Sequence, residues 1–438
     1  MPLEHSSRLT TRAALGLFSG MVAVTALTGG TLAGPVVNGP FSFNPIAGSA
    51  YGAAWNPAAP WVIPAGFRQY VVSNESDLNV YRTVANGGDV TGDGDDWHDM
   101  NTVNETGQQA GRYLYRTHEV RGSNGGAAGG VVSVVDLQTG VARVIAGPDT
   151  TQPYQALDGL RWTPWGTLLF AEEVAGGRLL EIILDPSDPM TALEVVDRPA
   201  LGRLAHEGID IGPDGAVYVV DEFRGQREGY GGGIYKFVPD RRGDLSSGRL
   251  YALKVTGGSD GTGQGSWVGP INPLTAATSG TAAGAMGYNR PEDIEIIAGV
   301  LYVAVTEGRY SGSTELYDGR VLAIDLSSLR VTDFVKPGVN VPVETGAQSG
   351  LDNADNLAEG PNGDLVIIED NVPSDIWWAG KDNDGDGVAD AVHLFASLSD
   401  PGAEGTGIYF GKDSQTMFVN IQHSAAADGD GTWAITNR

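Results

Sequence analysis

Four acidic residues, Asp158, Glu207, Glu292 and Asp355, each stand a nearly constant distance ahead of a turn glycine. The interval is 8 residues for Asp158 to Gly166, Glu207 to Gly215 and Asp355 to Gly363, and 7 for Glu292 to Gly299. If these segments fold alike, their acids converge, and gathered carboxylates repel one another unless a cation sits among them. Such a set suits an oxygen-lined cage for calcium, magnesium, manganese or iron. The local alternative is that each acid closes its own turn by accepting backbone N–H groups. A second set trails its glycines by 6 and 7 residues: Glu172 with Glu173, Asp221 with Glu222, and Glu369 with Asp370. Arg290 stands two residues before Glu292 and shares its side of an extended chain. Its planar fork fits either the oxygens of a phosphate or the acids beside it.

Asp382, Asp384, Asp386 and Asp390, in KDNDGDGVAD, follow the spacing of a calcium loop with Gly387 at the sharp turn. The twelfth position is His393 where an EF-hand has glutamate, so the readings are a structural calcium site or a plain acidic turn. DVTGDGDD, ending at Asp96, is a weaker relative that reads as an acidic surface loop. His118, His206 and His423 sit at the ends of strand-like runs, as ligands, proton carriers or hydrogen-bonding struts. The chain has no cysteine, which excludes thiolate metal sites, disulfides and thiol nucleophiles.

The elements that would position these residues repeat. HEGIDIGPDGAVYVVDE reads as a short strand, a tight turn and an apolar strand with acids at both ends. Variations on it recur from GRYLYRTHEV to TMFVNIQH, six in all, with turn landmarks at Gly111, Gly166, Gly215, Gly299, Gly363 and Gln415, 49 to 84 residues apart. Propeller blades of four strands need about 40 to 50 residues, and extra length goes to loops. The fold expected is all-β, a six-bladed β-propeller with loop insertions such as Gly257 to Gly287. In that fold the leading acids ring one mouth of the central channel.

Composition bounds the partners. With 27 basic residues against 54 acidic ones the formal charge is −27, which repels nucleic acid and suits cations. Arg8 and Arg12, followed by an apolar run from Ala13 to about Ala33, read as a secretory signal peptide over residues 1–33. An exported protein, periplasmic or extracellular, with no stable membrane span after cleavage is therefore expected. Residues 34–70 read as an extended lead-in and 71–438 as a single propeller domain.

Several motifs resemble the PhoX-type bacterial alkaline phosphatases: TPWGT with Glu172 and Glu173, HE at His206 and Glu207, RPE from Arg290 to Glu292, DNL from Asp355 to Leu357, TMFVNIQH ending at His423, and THE from Thr117 to Glu119. The similarity spans roughly Gly111 to His423. It implies a six-bladed propeller, export, and calcium-dependent hydrolysis of phosphate monoesters at an iron–calcium centre. It makes Glu173, Glu207, Glu292 and Asp355 metal ligands, Glu119 a further calcium ligand and Arg290 a phosphate clamp. The chain departs from the pattern at Asp158, which stands where the phosphatases have an iron-bridging cysteine, and it lacks their twin-arginine signal. A carboxylate supplies no thiolate ligation, so the implied cofactor is calcium, with iron or another divalent or trivalent metal beside it. The expected activity is hydrolysis of a small-molecule phosphate ester, with Arg290 and Asp158 at the reacting centre. The alternatives are a non-catalytic, calcium-stabilised propeller that binds a ligand or an envelope partner, and a sugar or lactone hydrolase on the same architecture. The sequence leaves the oligomeric state open.

Overall fold

A computed structural model describes residues 36–78, 96–120, 130–147, 153–225, 232–310, 313–346, 348–424 and 426–437. The expected signal peptide and most of DVTGDGDD lie outside them. Short apolar runs rich in branched residues form the middle strands of each sheet: Leu168–Glu172, Val217–Val220 and Leu365–Glu369 are buried along their whole length. A strand covered on both faces has no need of polar alternation, which is why these segments read as continuous apolar runs.

Among the described residues the strands group into six antiparallel blades. The innermost strands are His98–Val103, Leu157–Trp162, Ile209–Ile211, Pro291–Ile297, Ala354–Glu359 and Glu404–Phe410 for blades one to six. Each packs on the next in chain order, and the sixth packs back on the first, closing a ring. The outer strand of blade six is Arg68–Asn74, from the other end of the chain, which pairs antiparallel with Gly431–Thr436. Closure thus ties the first described strands to the last ones. The core lies between blades, for instance where Phe41 stacks on Trp378 at 5.5 Å in a cluster that also holds Phe395, Ile408 and Trp433.

Three features go beyond the sequence reading. The lead-in supplies strands, since Trp61–Val62 pairs with the edge of blade five. The segment read as an insertion contains Gly263–Ile271, a fifth strand of blade three that also bridges to blade four through Gly263 and Val331. The first repeat has an inner strand, His98–Val103, ahead of the run in which it was recognised. No helix among the described residues is long and apolar enough to cross a membrane.

Candidate metal centre

The innermost strands carry their acids at one matched level. Asp99, Asp158, Glu292 and Asp355 are each the second residue of an inner strand, and Glu207 stands two residues before Ile209–Ile211. The trailing residues repeat as well. The backbone N–H groups of Glu119, Glu173, Glu222, Thr306 and Asp370 donate to the carbonyls of Trp97, Ala156, Ala205, Arg290 and Asn353, at 2.8–3.0 Å. Each acceptor lies two residues before the leading acid of its blade. Four of the five, Trp97, Ala156, Arg290 and Asn353, have positive φ between 39° and 54°, so the chain turns sharply as it enters the channel wall. Arg290 occupies this repeated corner in blade four, where the trailing position is Thr306 rather than an acid.

Alternation along the strands sorts the paired trailing acids. Glu172 pairs with Arg178 at 2.6 Å, Asp221 accepts the Ala205 N–H at 2.9 Å, and Glu369 accepts the Asp352 N–H at 2.8 Å. These first members hold their own blades together. Of the second members, Glu173 and Asp370 line the channel cavity, and Glu222 reaches its wall through Arg290.

The cavity has a volume of about 260 Å³ and is lined by Asp99, Glu119, Asp158, Glu173, Glu207, Glu292, Asp355, Asp370 and Glu404, with Arg290, Trp97, Thr406, Gln422 and His423. It therefore brings together every channel residue the sequence singled out: Asp158, Glu173, Glu207, Glu292, Asp355, Glu119 and Arg290. Nine carboxylates face one guanidinium. Carboxylate oxygens of Glu207, Glu222 and Glu292 lie within 4.8 Å of one another. Burial lifts Asp99, Asp158, Glu207 and Asp355 well above the ordinary carboxylate range, and the charges of the neighbouring acids push the same way. Burial and contact with Glu404 raise Asp370 to about 9. Asp158 Oδ1 and Glu207 Oε2 are buried without a hydrogen-bond partner. A bound cation removes both penalties at once, because it takes up lone pairs and neutralises charge.

Arg290 is held by the acids around it. Its Nε bonds to Glu222, and its Nη2 lies 3.0 Å from Glu292 and 3.3 Å from Asp370. Against a burial that would lower it, Glu292, Glu222 and Asp370 keep the guanidinium above its usual pKa. His423 sits beside Glu404 at 3.2 Å, edge-on to Trp97.

The ring is tight because glycines follow two of the acids. A Cβ on Gly159 would stand 1.8 Å from the Glu207 carbonyl oxygen, and one on Gly208 2.6 Å from the Ile294 nitrogen. Adjacent inner strands thus touch through backbone just behind their acids. Gly159→Ala is expected to destabilise the protein by about 3 kcal/mol, read as a lower urea midpoint. An unchanged midpoint would contradict this close approach.

Asp382, Asp384, Asp386 and Asp390 form a separate, more exposed turn. Asp382 accepts backbone N–H groups of Gly385, Asp386 and Gly387, and oxygens of Asp382, Asp384 and Asp390 lie within 4.8 Å of one another. Asn383 Nδ2 already donates to Asp390 at 2.6 Å.

Sequence reasoning missed Asp99 as the leading acid of blade one. Its interval to Gly111 is 12 residues instead of 8, because the turn after its strand is long, and the apolar-run criterion skipped the polar strand HDMNTV. It also left out Glu404, the acid at the start of the last inner strand. Its interval of 11 residues to Gln415 departs from the 7 or 8 of the other leading acids, so spacing gave no signal for it.

Residues 177–425, more than half of the chain, match the family described as Alkaline phosphatase PhoX. No curated protein matches significantly. Among solved structures, the chain is similar to the PQQ-bound aldose sugar dehydrogenase from Streptomyces coelicolor, at 12% identity and a TM-score of 0.45 over 86% of this chain and 99% of that one. It is also similar to an alpha-L-arabinanase from Penicillium chrysogenum complexed with arabinobiose, at 13% identity and a TM-score of 0.43 over 81% and 97%. Likeness at this level bears on no chemistry, and the family match covers the two outer strands of blade two, nearly all of blades three to five and two of the four strands of blade six, a span that supplies Glu207, Arg290, Glu292 and Asp355. This chain belongs to the PhoX family of alkaline phosphatases.

Proposed function

We propose that the protein is an exported phosphatase that hydrolyses small phosphate esters in its channel cavity, with hard cations held by the carboxylate ring. The observation that carries this reading is the charge of the cavity: nine carboxylates and one arginine around a small, partly open space. Asp158 and Glu207, with their unpartnered oxygens, and Asp99, Glu173, Glu292 and Asp355 would hold the metals, with Glu119 at the rim toward Gln422. The donor set is oxygen throughout apart from one imidazole at His423. It favours calcium or a similarly hard ion, and with aspartate at position 158 it lacks the thiolate of the family's iron pair. Cations bound there supply charge for the phosphoryl oxygens and acidify a water for attack.

The chain's own residues then have distinct tasks. Arg290 presents its fork at the cavity wall to orient an anion that the bare acids would otherwise repel. The carboxylates fix the cations against the rigid inner strands. Trp97, Thr406 and His423 form the remaining wall, against which the ester's leaving group would lie. The aspartate turn from Asp382 to Asp390 is assigned to a structural calcium away from the channel. Export accords with the family and with the acidic surface.

The test is phosphomonoesterase activity of the purified protein supplied in turn with calcium, iron and both. Release of phosphate from a small aryl phosphate under at least one condition is expected, and none under any condition would sink the reading. One observation favours a second reading, a non-catalytic calcium-stabilised propeller. Arg290 is engaged by three acids, as a residue that merely balances charge would be. That reading expects calcium-dependent stability without turnover.

A further inference from the structure

Behind the channel wall, on the opposite face of the first inner strand, lies a second polar cluster that the phosphatase reading does not use. His98 precedes Asp99 and His118 precedes Glu119, so strand alternation sends the two histidines away from the cavity that the two acids face. His98 and His118 are paired across adjacent strands, with ring centroids 4.5 Å apart. Both are fully buried, and Asp96 beside them is 2% exposed. Neither ring nitrogen of His98 has a hydrogen-bond partner. Leaving a buried polar group unmatched costs about 1–3 kcal/mol, and a core histidine kept only for packing would be expected to find a donor or acceptor. His118 is oriented by the Asp96 carbonyl at 2.7 Å and the Ser133 hydroxyl at 2.8 Å. A ring nitrogen of each histidine and a carboxylate oxygen of Asp96 lie within 4.8 Å of one another.

We infer that Asp96, His98 and His118 form a second metal site, distinct from the channel, that takes a borderline divalent cation of the zinc class. Two imidazoles and one carboxylate suit such an ion and are poor donors for calcium, which prefers oxygen throughout. Ligand atoms around a tetrahedral zinc stand roughly 3.4 Å apart at the usual bond lengths, so side-chain rotation closes the set. Burial, then the Arg116 charge, keeps both rings neutral, as ligands must be. Arg116 stands beside the cluster, and the charge of Asp96 acts against it. Asp430, held well above the ordinary carboxylate range chiefly by burial, also feels the charges of Glu75 and Asp96. All three ligands belong to blade one, whose His98 carbonyl accepts the Thr406 hydroxyl of blade six at 2.8 Å. Metal there would pin the first hairpin of blade one to the segment that leads into it.

The full chain, produced with zinc supplied and held in excess calcium, provides the test. Anomalous diffraction at the zinc edge is expected to show a peak among His98, His118 and Asp96. Zinc found only in the channel cavity, or nowhere, overturns the assignment. Elemental analysis gives a second readout: His98→Ala is expected to lose one zinc per chain relative to the parent, whereas Glu207→Gln, altered in the channel, keeps it. A folded His98→Ala protein with its full zinc content would likewise overturn the assignment.

Discussion

Stripping bound cations with a chelator is expected to abolish phosphomonoester turnover and lower the thermal midpoint, and restoring calcium is expected to return both. The reason is electrostatic. The channel acids are buried by close-packed inner strands, so they cannot be solvated when their cations leave. They must then take up protons or repel one another. Asp99, Asp158, Glu207 and Asp355 are already pushed toward protonation by burial, and a protonated carboxyl neither binds calcium well nor holds a phosphate-bearing ion. A ligand present at 100 times its dissociation constant stabilises the folded state by about 2.7 kcal/mol per site. For a chain of this size that corresponds to a midpoint shift of roughly 3 °C for one site and more for several. Differential scanning calorimetry beside a phosphate-release assay reads both effects. Full turnover and an unchanged midpoint, with elemental analysis confirming that the cations are gone, would refute the metal centre. Loss of stability without any turnover in the loaded protein would instead support the non-catalytic reading.

Replacing Arg290 separates the same two readings by a different route. Arg290→Ala is expected to lower kcat/KM for a phosphate monoester by about 10²- to 10³-fold, the usual cost of losing one donor aimed at developing charge. The metal-loaded protein should keep its thermal midpoint to within a few degrees. Arg290→Lys keeps the charge and loses the fork, so a phosphate clamp predicts an intermediate loss, whereas a residue that only balances Glu222, Glu292 and Asp370 predicts near-normal activity. Because Arg290 adopts a left-handed backbone at φ 54°, Arg290→Asn, which tolerates that conformation, controls for strain. Parental activity in all three variants would remove Arg290 from the reaction.

Much of the channel was legible in the chain because the propeller repeats itself. Blades one to five place a leading acid at a matched level on the inner strand, and in blades two to five the near-constant interval from acid to turn glycine carried that ring into the sequence. The reading was weakest where loop length broke that register. Asp99 was hidden by the long turn before Gly111, and the pairing of Arg68–Asn74 with Gly431–Thr436 joins segments too far apart for any local pattern to connect. Paired acids such as Glu172 and Glu173 were equivalent in the sequence. Their neighbours distinguish them, since Arg178 claims the first and the cavity receives the second.

By itself, then, the sequence determined the strand-and-turn repeat, the absence of thiol chemistry, the acidic charge and the set of acids in register, because these depend on residue type and spacing along the chain. Only the tertiary structure decided which acids share one cavity, how Arg290 is held among three of them, and that His98 and His118 meet behind the channel wall. Those relations arise from ring closure and from the alternation of neighbouring side chains to opposite faces, which bring together residues hundreds of positions apart and separate residues that are adjacent.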